Sequence, residues 1–296
     1  MSHFKTIHSL FAANGWTAPE HPLVCPVRCD LSCRPVESAF TSDFYFIGFK
    51  KLKSGIVRYG RTKYDHENGS MSFVRPQQYI EFQDLEFEED GFLIFFHEDY
   101  LHGHPLHSEI KKYGFFDYMS NEALHLSPKE EQIIWDLFFK IEGEYKNNPD
   151  EYSRDIILAH LDSILKYAQR FYKRQFLNRN IVSGHVVSRF NDTLASYFGN
   201  GMSEDKGLPT VSYMASTLHV SPRYLSDLLK AETGKTALEL IHIFLIGEAK
   251  NLLASPHLSI SEAAYKLGFE NLPYFSRLFK KEVGLSPNQF RKHALN

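Results

Sequence analysis

The rhythm of hydrophobic and polar positions changes along the 296-residue chain, and each change marks a different kind of element. Between about residues 40 and 96 the apolar positions form short aromatic or β-branched runs: Phe44 to Phe49, Gly55 to Tyr59, Met71 to Val74 and Phe92 to Phe96. Ser54-Gly55, Asn68-Gly69 and Arg75-Pro76 punctuate them, which predicts the strands and turns of a small sheet or barrel. At Ser127-Pro128-Lys129-Glu130 the order is that of a capping box with proline at the first helical position, and Ile133, Ile134, Leu137, Phe138 and Ile141 come after it at helical spacing. Asn147-Asn148-Pro149-Asp150 ends that helix. Ile156, Ile157, Leu161, Ile164, Leu165, Ala168, Phe171 and Tyr172 then recur at intervals of three and four, predicting a second long helix. Two adjacent amphipathic helices form a hairpin, either covering one side of the sheet or supplying a dimer interface. The polar stretch from Lys173 to Gly184 is the candidate domain boundary.

Beyond residue 184 the chain repeats itself. Ala215, Leu218 and Val220, then Tyr224 to Lys230, Glu232 and Gly234, recur as Ala264, Leu267 and Phe269, then Tyr274 to Lys280, Glu282 and Gly284. The offset is 49 residues before the turn and 50 after it. Each copy reads as a short helix, a tight turn and a longer helix ended by glycine, which is the helix-turn-helix plan. Ala215 and Ala264 are small because a second helix crosses the first at close range. Leu225, Leu228, Phe275 and Leu278 fill the wedge between them. Ser221-Pro222 and Asn271 are suited to cap the two longer helices. Between the copies, Ala237 to Ala254 reads as one helix of about 27 Å with Leu238, Ile241, Phe244, Leu245, Ala249, Leu252 and Leu253 on its buried side. A bridge of that length sets two recognition helices roughly 34 Å apart, so that one chain can enter two successive major grooves.

Ser259-Ile260-Ser261-Glu262-Ala263-Ala264-Tyr265-Lys266-Leu267-Gly268-Phe269, together with Tyr274-Phe275-Ser276-Arg277-Leu278-Phe279-Lys280-Lys281 and Gly284-Leu285-Ser286-Pro287, resembles the signature of AraC/XylS-type bacterial transcriptional regulators. The resemblance covers about the last 110 residues. It implies a regulator, usually an activator, that binds double-stranded DNA and contacts RNA polymerase. The N-terminal sheet is similar, less specifically, to the cupin-like sensor domains of that family. By the same resemblance Arg277 occupies the position that reaches into the groove, where a guanidinium pairs with guanine or binds phosphate. Asn271, Tyr274 and Ser276 lie beside it, and Lys280 and Lys281 are phosphate partners. In the first copy the candidate readers are Ser221, Arg223, Tyr224 and Ser226. There Asp227 stands where Arg277 stands in the second copy, and a carboxylate repels phosphate unless it accepts from a cytosine amine or pairs with Arg223. The bridging helix shows Ile246-Gly247-Glu248 where relatives often carry an arginine.

Charge agrees with this division. The net charge is -3, yet from Gly207 onward ten basic residues face seven acidic ones, a local balance of +3 that leaves -6 for the rest. A composition 43% hydrophobic and 15% aromatic is ample for two cores and excludes disorder as the main theme. The absence of a long apolar run or a signal-peptide pattern predicts a cytoplasmic protein without a membrane span. His102-Gly103-His104 with Glu109, near His97 and His107, echoes the metal spacing of cupin enzymes, but its glycines are misplaced and it lies after the strands, so it reads as a surface turn without a metal. Cys25, Cys29 and Cys33 lie four apart among Pro22, Pro26 and Pro35 and read as ordinary thiols of an irregular arm. No phosphate loop, dinucleotide fingerprint, nucleophile elbow or triad appears, so neither an enzyme nor a cofactor is expected. The fold class is α+β and multidomain: a cupin-like sensor sheet over 1–125, a helical hairpin over 126–180, and an all-α tandem helix-turn-helix domain over 181–296. The partners expected are DNA and RNA polymerase, with a small-molecule effector and a second copy of the chain as further candidates.

Overall fold

The computed structural model describes residues 2–29, 39–50, 52–59, 62–64, 69–87, 91–118, 122–183, 185–254 and 257–294. The chain forms two compact units, Met1–Gln175 and Phe176–Asn296.

The first unit begins with β1 (Ser2–Phe4), α1 (Ile7–Ala13), β2 (Val24–Cys29), β3 (Ala39–Ser42), β4 (Phe44–Lys50), β5 (Leu52–Tyr59) and β6 (Thr62–Tyr64). It continues with β7 (Ser70–Val74), β8 (Ile80–Phe87), β9 (Gly91–His97), a series of short turns around α2 (Leu106–Glu109), and β10 (Leu124–His125). The helices α3 (Pro128–Lys146) and α4 (Ser153–Ser183) come next, α4 running on beyond the unit's edge. Among the described residues the strands form two five-stranded sheets, ordered β1-β3-β8-β5-β6 and β10-β7-β4-β9-β2. All pairings are antiparallel except β1 with β3.

Each aromatic run of the sequence falls in a strand, and in β9 alternate side chains serve different layers. In β9, Leu93 and Phe95 join Phe44 and Phe46 of β4 and the buried Ile7, Leu10 and Phe11 of α1 in one cluster. Phe92, on the other face, stacks on Phe138 of α3 with ring centroids 4.3 Å apart, and Trp135 meets the same ring edge-on at 5.2 Å. The hairpin therefore covers the sheet. The capping box at Ser127 forms as expected, with the Ser127 amide donating to Glu130 Oε2 at 2.9 Å. From α4, Gln175 clamps β10: its Oε1 accepts from the His125 amide at 2.9 Å and its Nε2 donates to the Ala123 carbonyl at 3.0 Å. Ile156, expected on the buried stripe, is 39% exposed.

One expectation is corrected outright. Cys25 and Cys29 do not lie in an irregular arm; they sit in β2, paired with β9 through Cys25 opposite Phe95 and Cys29 opposite Gly91. Pro26 is tolerated because β2 is an edge strand, where an N–H can be spared. Both thiols are buried; Cys33 lies outside the described residues. The Tyr145 hydroxyl of α3 donates to Cys25 Sγ at 3.7 Å, and burial pushes the Cys25 thiol up to about 11.

The second unit takes in the end of α4 and holds α5 (His185–Gly199), α6 (Met202–Lys206), α7 (Val211–Leu218), α8 (Pro222–Thr233), α9 (Ala237–Leu253), α10 (Ile260–Lys266), α11 (Leu272–Val283) and α12 (Pro287–Ala294). One core runs through it, from Phe190 and Leu194 of α5 through Ile241, Leu245 and Ala249 of α9 to Phe275 and Phe279 of α11. The helices α5, α6 and α12 were not apparent in the sequence. Leu238, assigned to the buried side of the bridge, is 50% exposed. No helix among the described residues is long and apolar enough to cross a membrane.

The burial of Cys25 has a direct chemical consequence, because only the thiolate is a good nucleophile. Alkylation and mass-spectrometric mapping should leave Cys25 unlabelled near neutral pH in the native protein and label it once denaturant is added. Prompt native labelling would contradict its place in β2.

Candidate nucleic-acid interface

The two helix-turn-helix copies are built on the same turn hydrogen bond. At the turn the Val220 amide donates to the Ala215 carbonyl and the Phe269 amide to the Ala264 carbonyl, each at 3.0 Å. Ala215 and Ala264 are fully covered, as a close crossing of helices demands. The turn needs one left-handed residue, which is Gly268 (φ +85°) in the second copy and His219 (φ +59°) in the first. Gly268 is also sterically required, since a Cβ there would lie 2.5 Å from Gly207 C and 2.8 Å from the Ser203 carbonyl. Ser203 Oγ in turn donates to the Lys266 carbonyl at 2.8 Å, fixing α6 against the end of α10.

Caps define where each longer helix begins and ends. Ser221 Oγ accepts from the Tyr224 amide at 3.1 Å, and Asn271 Oδ1 accepts from the Tyr274 amide at 3.0 Å. Gly234 and Gly284, both left-handed, close the two helices. Capping boxes start α9 and α10: the Thr236 amide donates to Glu239 and the Ser259 amide to Glu262, each at 2.7 Å. These backbone bonds hold both carboxyls below their ordinary range. The stabilisation is therefore present above the ordinary carboxylate range and lost as pH falls through the lowered value.

The expected site residues separate into two groups. On α11, Asn271, Tyr274, Arg277, Lys280 and Lys281 are exposed and Ser276 is half-buried. Arg277 has no hydrogen-bond or ion-pair partner among the described residues, and Lys281 lies 3.8 Å from Glu282. On α8, Arg223 is exposed and Ser226 half-buried, while Ser221 and Tyr224 are buried at 2% and 1% exposure. Tyr224 thus cannot present itself to a groove, although its counterpart Tyr274 is 39% exposed. From outside the repeat, Phe176 of α4 packs edge-on against Tyr224 at 5.1 Å. Asp227 is paired, with Arg223 Nε donating to its Oδ2 at 3.1 Å.

Opposite in character is an open groove of about 820 Å³ at the start of the second copy, lined in part by Glu204, Asp205, Glu262 and Glu270. These four carboxylates outnumber the two lysines of the lining, Lys206 and Lys266, a balance that disfavours phosphate. Among the described residues no group of three His, Cys, Asp or Glu side chains could hold a metal. His97, His102 and His107 instead lie beside Asp99 or Glu98 at 3.1–3.6 Å.

A model described as a helix-turn-helix domain matches residues 214–293. The chain is 35% identical over 81 residues to the arabinose operon regulatory protein of Escherichia coli K12, covering 27% of this chain and 28% of that protein. The second unit is an AraC-type helix-turn-helix domain. Over 139 residues the chain is also 34% identical to the uncharacterized HTH-type transcriptional regulator YfiF of Bacillus subtilis strain 168, covering 47% of this chain and 41% of that protein. A solved structure, the C-terminal domain of the response regulator AraT from Geobacillus stearothermophilus, is 35% identical, with 37% of this chain and 85% of that chain covered at a TM-score of 0.33. The chain spans less than half the length of either curated relative. The AraC-type motif gave no sign of α12, yet Ser286-Pro287-Asn288-Gln289 carries the same cap order as Ser127-Pro128-Lys129-Glu130. The Ser286 amide donates to Gln289 Oε1 at 2.9 Å.

The two turns predict opposite responses to substitution. Gly268→Ala should destabilise the AraC-type unit by about 2 kcal/mol or more, from the clash together with the left-handed strain. His219→Gly should be neutral or stabilising by up to about 1 kcal/mol. Urea denaturation monitored by circular dichroism measures both, and equal effects would contradict the difference in packing.

Proposed function

We propose that this protein is a sequence-specific DNA-binding transcriptional regulator in which α8 and α11 enter two successive major grooves of one duplex. The observation that carries the reading is the exposed Arg277, without a hydrogen-bond or ion-pair partner among the described residues, on the recognition helix of an AraC-type domain. A cation left without an internal partner on such a face is suited to a base edge or a phosphate. The proposed readers are Arg223 and Ser226 on α8, and Asn271, Tyr274, Ser276 and Arg277 on α11. Lys280 and Lys281 are assigned to phosphate. Ser221 acts indirectly, by fixing the start of α8, and Tyr224 acts as core.

In this reading the protein works in the cytoplasm as an activator that contacts RNA polymerase, and a small-molecule effector acts through the first unit. Two copies associate through α3 and α4, a pairing supported by Phe139 and Ile156, which are apolar and 43% and 39% exposed. A concentration-independent monomer mass in sedimentation would remove the dimer.

Genome-wide capture of bound DNA in the native host should recover a motif with two blocks about one helical turn apart. Arg277→Ala should weaken one block, a good bidentate contact being worth about 1–3 kcal/mol of discrimination. Lys280→Ala should weaken all sequences alike and lower the salt slope by about 1. No enriched motif, with binding in vitro indifferent to Arg277, would refute the proposal. Tyr224→Ala should behave differently from Tyr274→Ala, reducing stability by about 3–5 kcal/mol as a core deletion while Tyr274→Ala leaves the melting transition nearly unchanged. Equal thermal shifts would place both on one kind of surface.

A further inference from the structure

The first recognition helix carries an ion pair whose order along the helix is not the one that helix stability favours. Arg223 is the second residue of α8 and Asp227 lies one turn later on the same face, both reachable from solvent. A cation in the first turn opposes the helix dipole, and a cation placed N-terminal to its anion is the weaker of the two orders. An exposed pair of this kind adds little to stability.

We propose that α8 reads a guanine through Arg223, with Asp227 as the positioning residue that holds the guanidinium in reading geometry. The inference rests on the DNA-reading role proposed above for α8. The bond to Asp227 is made through Nε alone, at 3.1 Å. Among the described residues the two terminal nitrogens, Nη1 and Nη2, have no protein partner. A guanidinium is a planar fork, so fixing its Nε edge orients the remaining donors as a unit. Guanine presents two acceptors, O6 and N7, side by side in the major groove, and this is the base edge that such a fork matches. The N-terminal residues of a recognition helix are those that approach base edges, and Arg223 is among them.

Charge supports the same assignment. Asp227 cancels Arg223, so this part of α8 offers oriented donors with no net attraction for the phosphate backbone. The second copy is arranged the other way: Pro273 stands at the position of Arg223, and Arg277 at that of Asp227. Its helix presents Arg277, Lys280 and Lys281 without an equivalent carboxylate clasp. The first block is thus read by geometry, and the second supplies much of the sequence-independent affinity.

The test uses the full chain and randomised duplex DNA, then competition with probes substituted one base at a time. Arg223→Ala should lose about tenfold discrimination for guanine at one position of one block and leave the Arg277 block intact. Asp227→Ala should lose discrimination at that same position, whereas Asp227→Asn, which keeps an oxygen acceptor for Nε, should retain most of it. Two results would overturn the inference. One is uniform weakening by Arg223→Ala with the salt slope reduced by about 1, which would make Arg223 a phosphate contact. The other is Asp227→Ala tightening all sequences without changing any preference, which would make Asp227 a repulsive charge only. A wild-type motif that depends on Arg277 and ignores Arg223 would sink this inference alone. A wild-type chain that selects no motif would sink the DNA-reading proposal with it.

Discussion

The second unit depends on two places where a small side chain is wholly enclosed between a short helix and the longer helix that follows it. Ala215 and Ala264 fill those crossings, and a turn hydrogen bond of equal length accepts at the carbonyl of each. Given the crossing, packing dictates the rest: Leu225 and Phe275 close the wedge and the caps at Ser221 and Asn271 fix where α8 and α11 start. The exposed faces of those helices are then determined. A larger side chain at either alanine would have to move a whole recognition helix, because close-packed interiors shift as units.

The copies share this geometry but support it differently, and the difference reaches the surface. The second turn is pressed against α6 and Gly207, so glycine is fixed there by contact as well as by backbone angle. The first turn tolerates His219 in the left-handed region, and its recognition helix is backed by Phe176. One duplicated plan thereby yields a helix whose Arg277 has no ion-pair partner among the described residues and a helix whose Arg223 is held by a neighbouring carboxylate. In the proposed reading, two such unlike helices suit an operator whose two blocks differ, a freedom that a symmetric pair of identical helices lacks.

What could be read from the sequence was whatever had a strong period or repeated. The aromatic runs of β4, β5, β7 and β9, the box at Ser127, the bridge from Ala237 and both recognition helices were legible. Strand β8 was not, because Glu81, Gln83, Asp84 and Glu86 break up the apolar character of Ile80–Phe87. The prolines around Cys25 hid β2, since proline argues against a strand unless its edge position is known. The burial of Tyr224 was beyond any reading of the repeat. Its counterpart Tyr274 is exposed, and a ring that packs on Tyr224, Phe176, belongs to a different part of the chain. Exposure at a recognition helix is a tertiary property, whereas capping and helix-crossing residues are local and therefore visible.

The bridge between α8 and α11 is capped at both ends of α9. At its start the Thr236–Glu239 box prevents fraying. At its end Arg291 Nε of α12 donates to the Leu253 carbonyl at 3.3 Å, one of the carbonyls a helix terminus leaves unsatisfied. Phe290 packs on Phe279 at 5.4 Å, so the element that caps the bridge also touches the second recognition helix. The 17 residues of α9 make a rod of about 26 Å with defined ends. In dimeric helix-turn-helix proteins the separation of recognition helices is a property of the subunit interface and changes if that interface changes. Here the separation of α8 and α11 is a property of one helix within one core, so in the proposed reading the phase between the two blocks of DNA is set within a single chain.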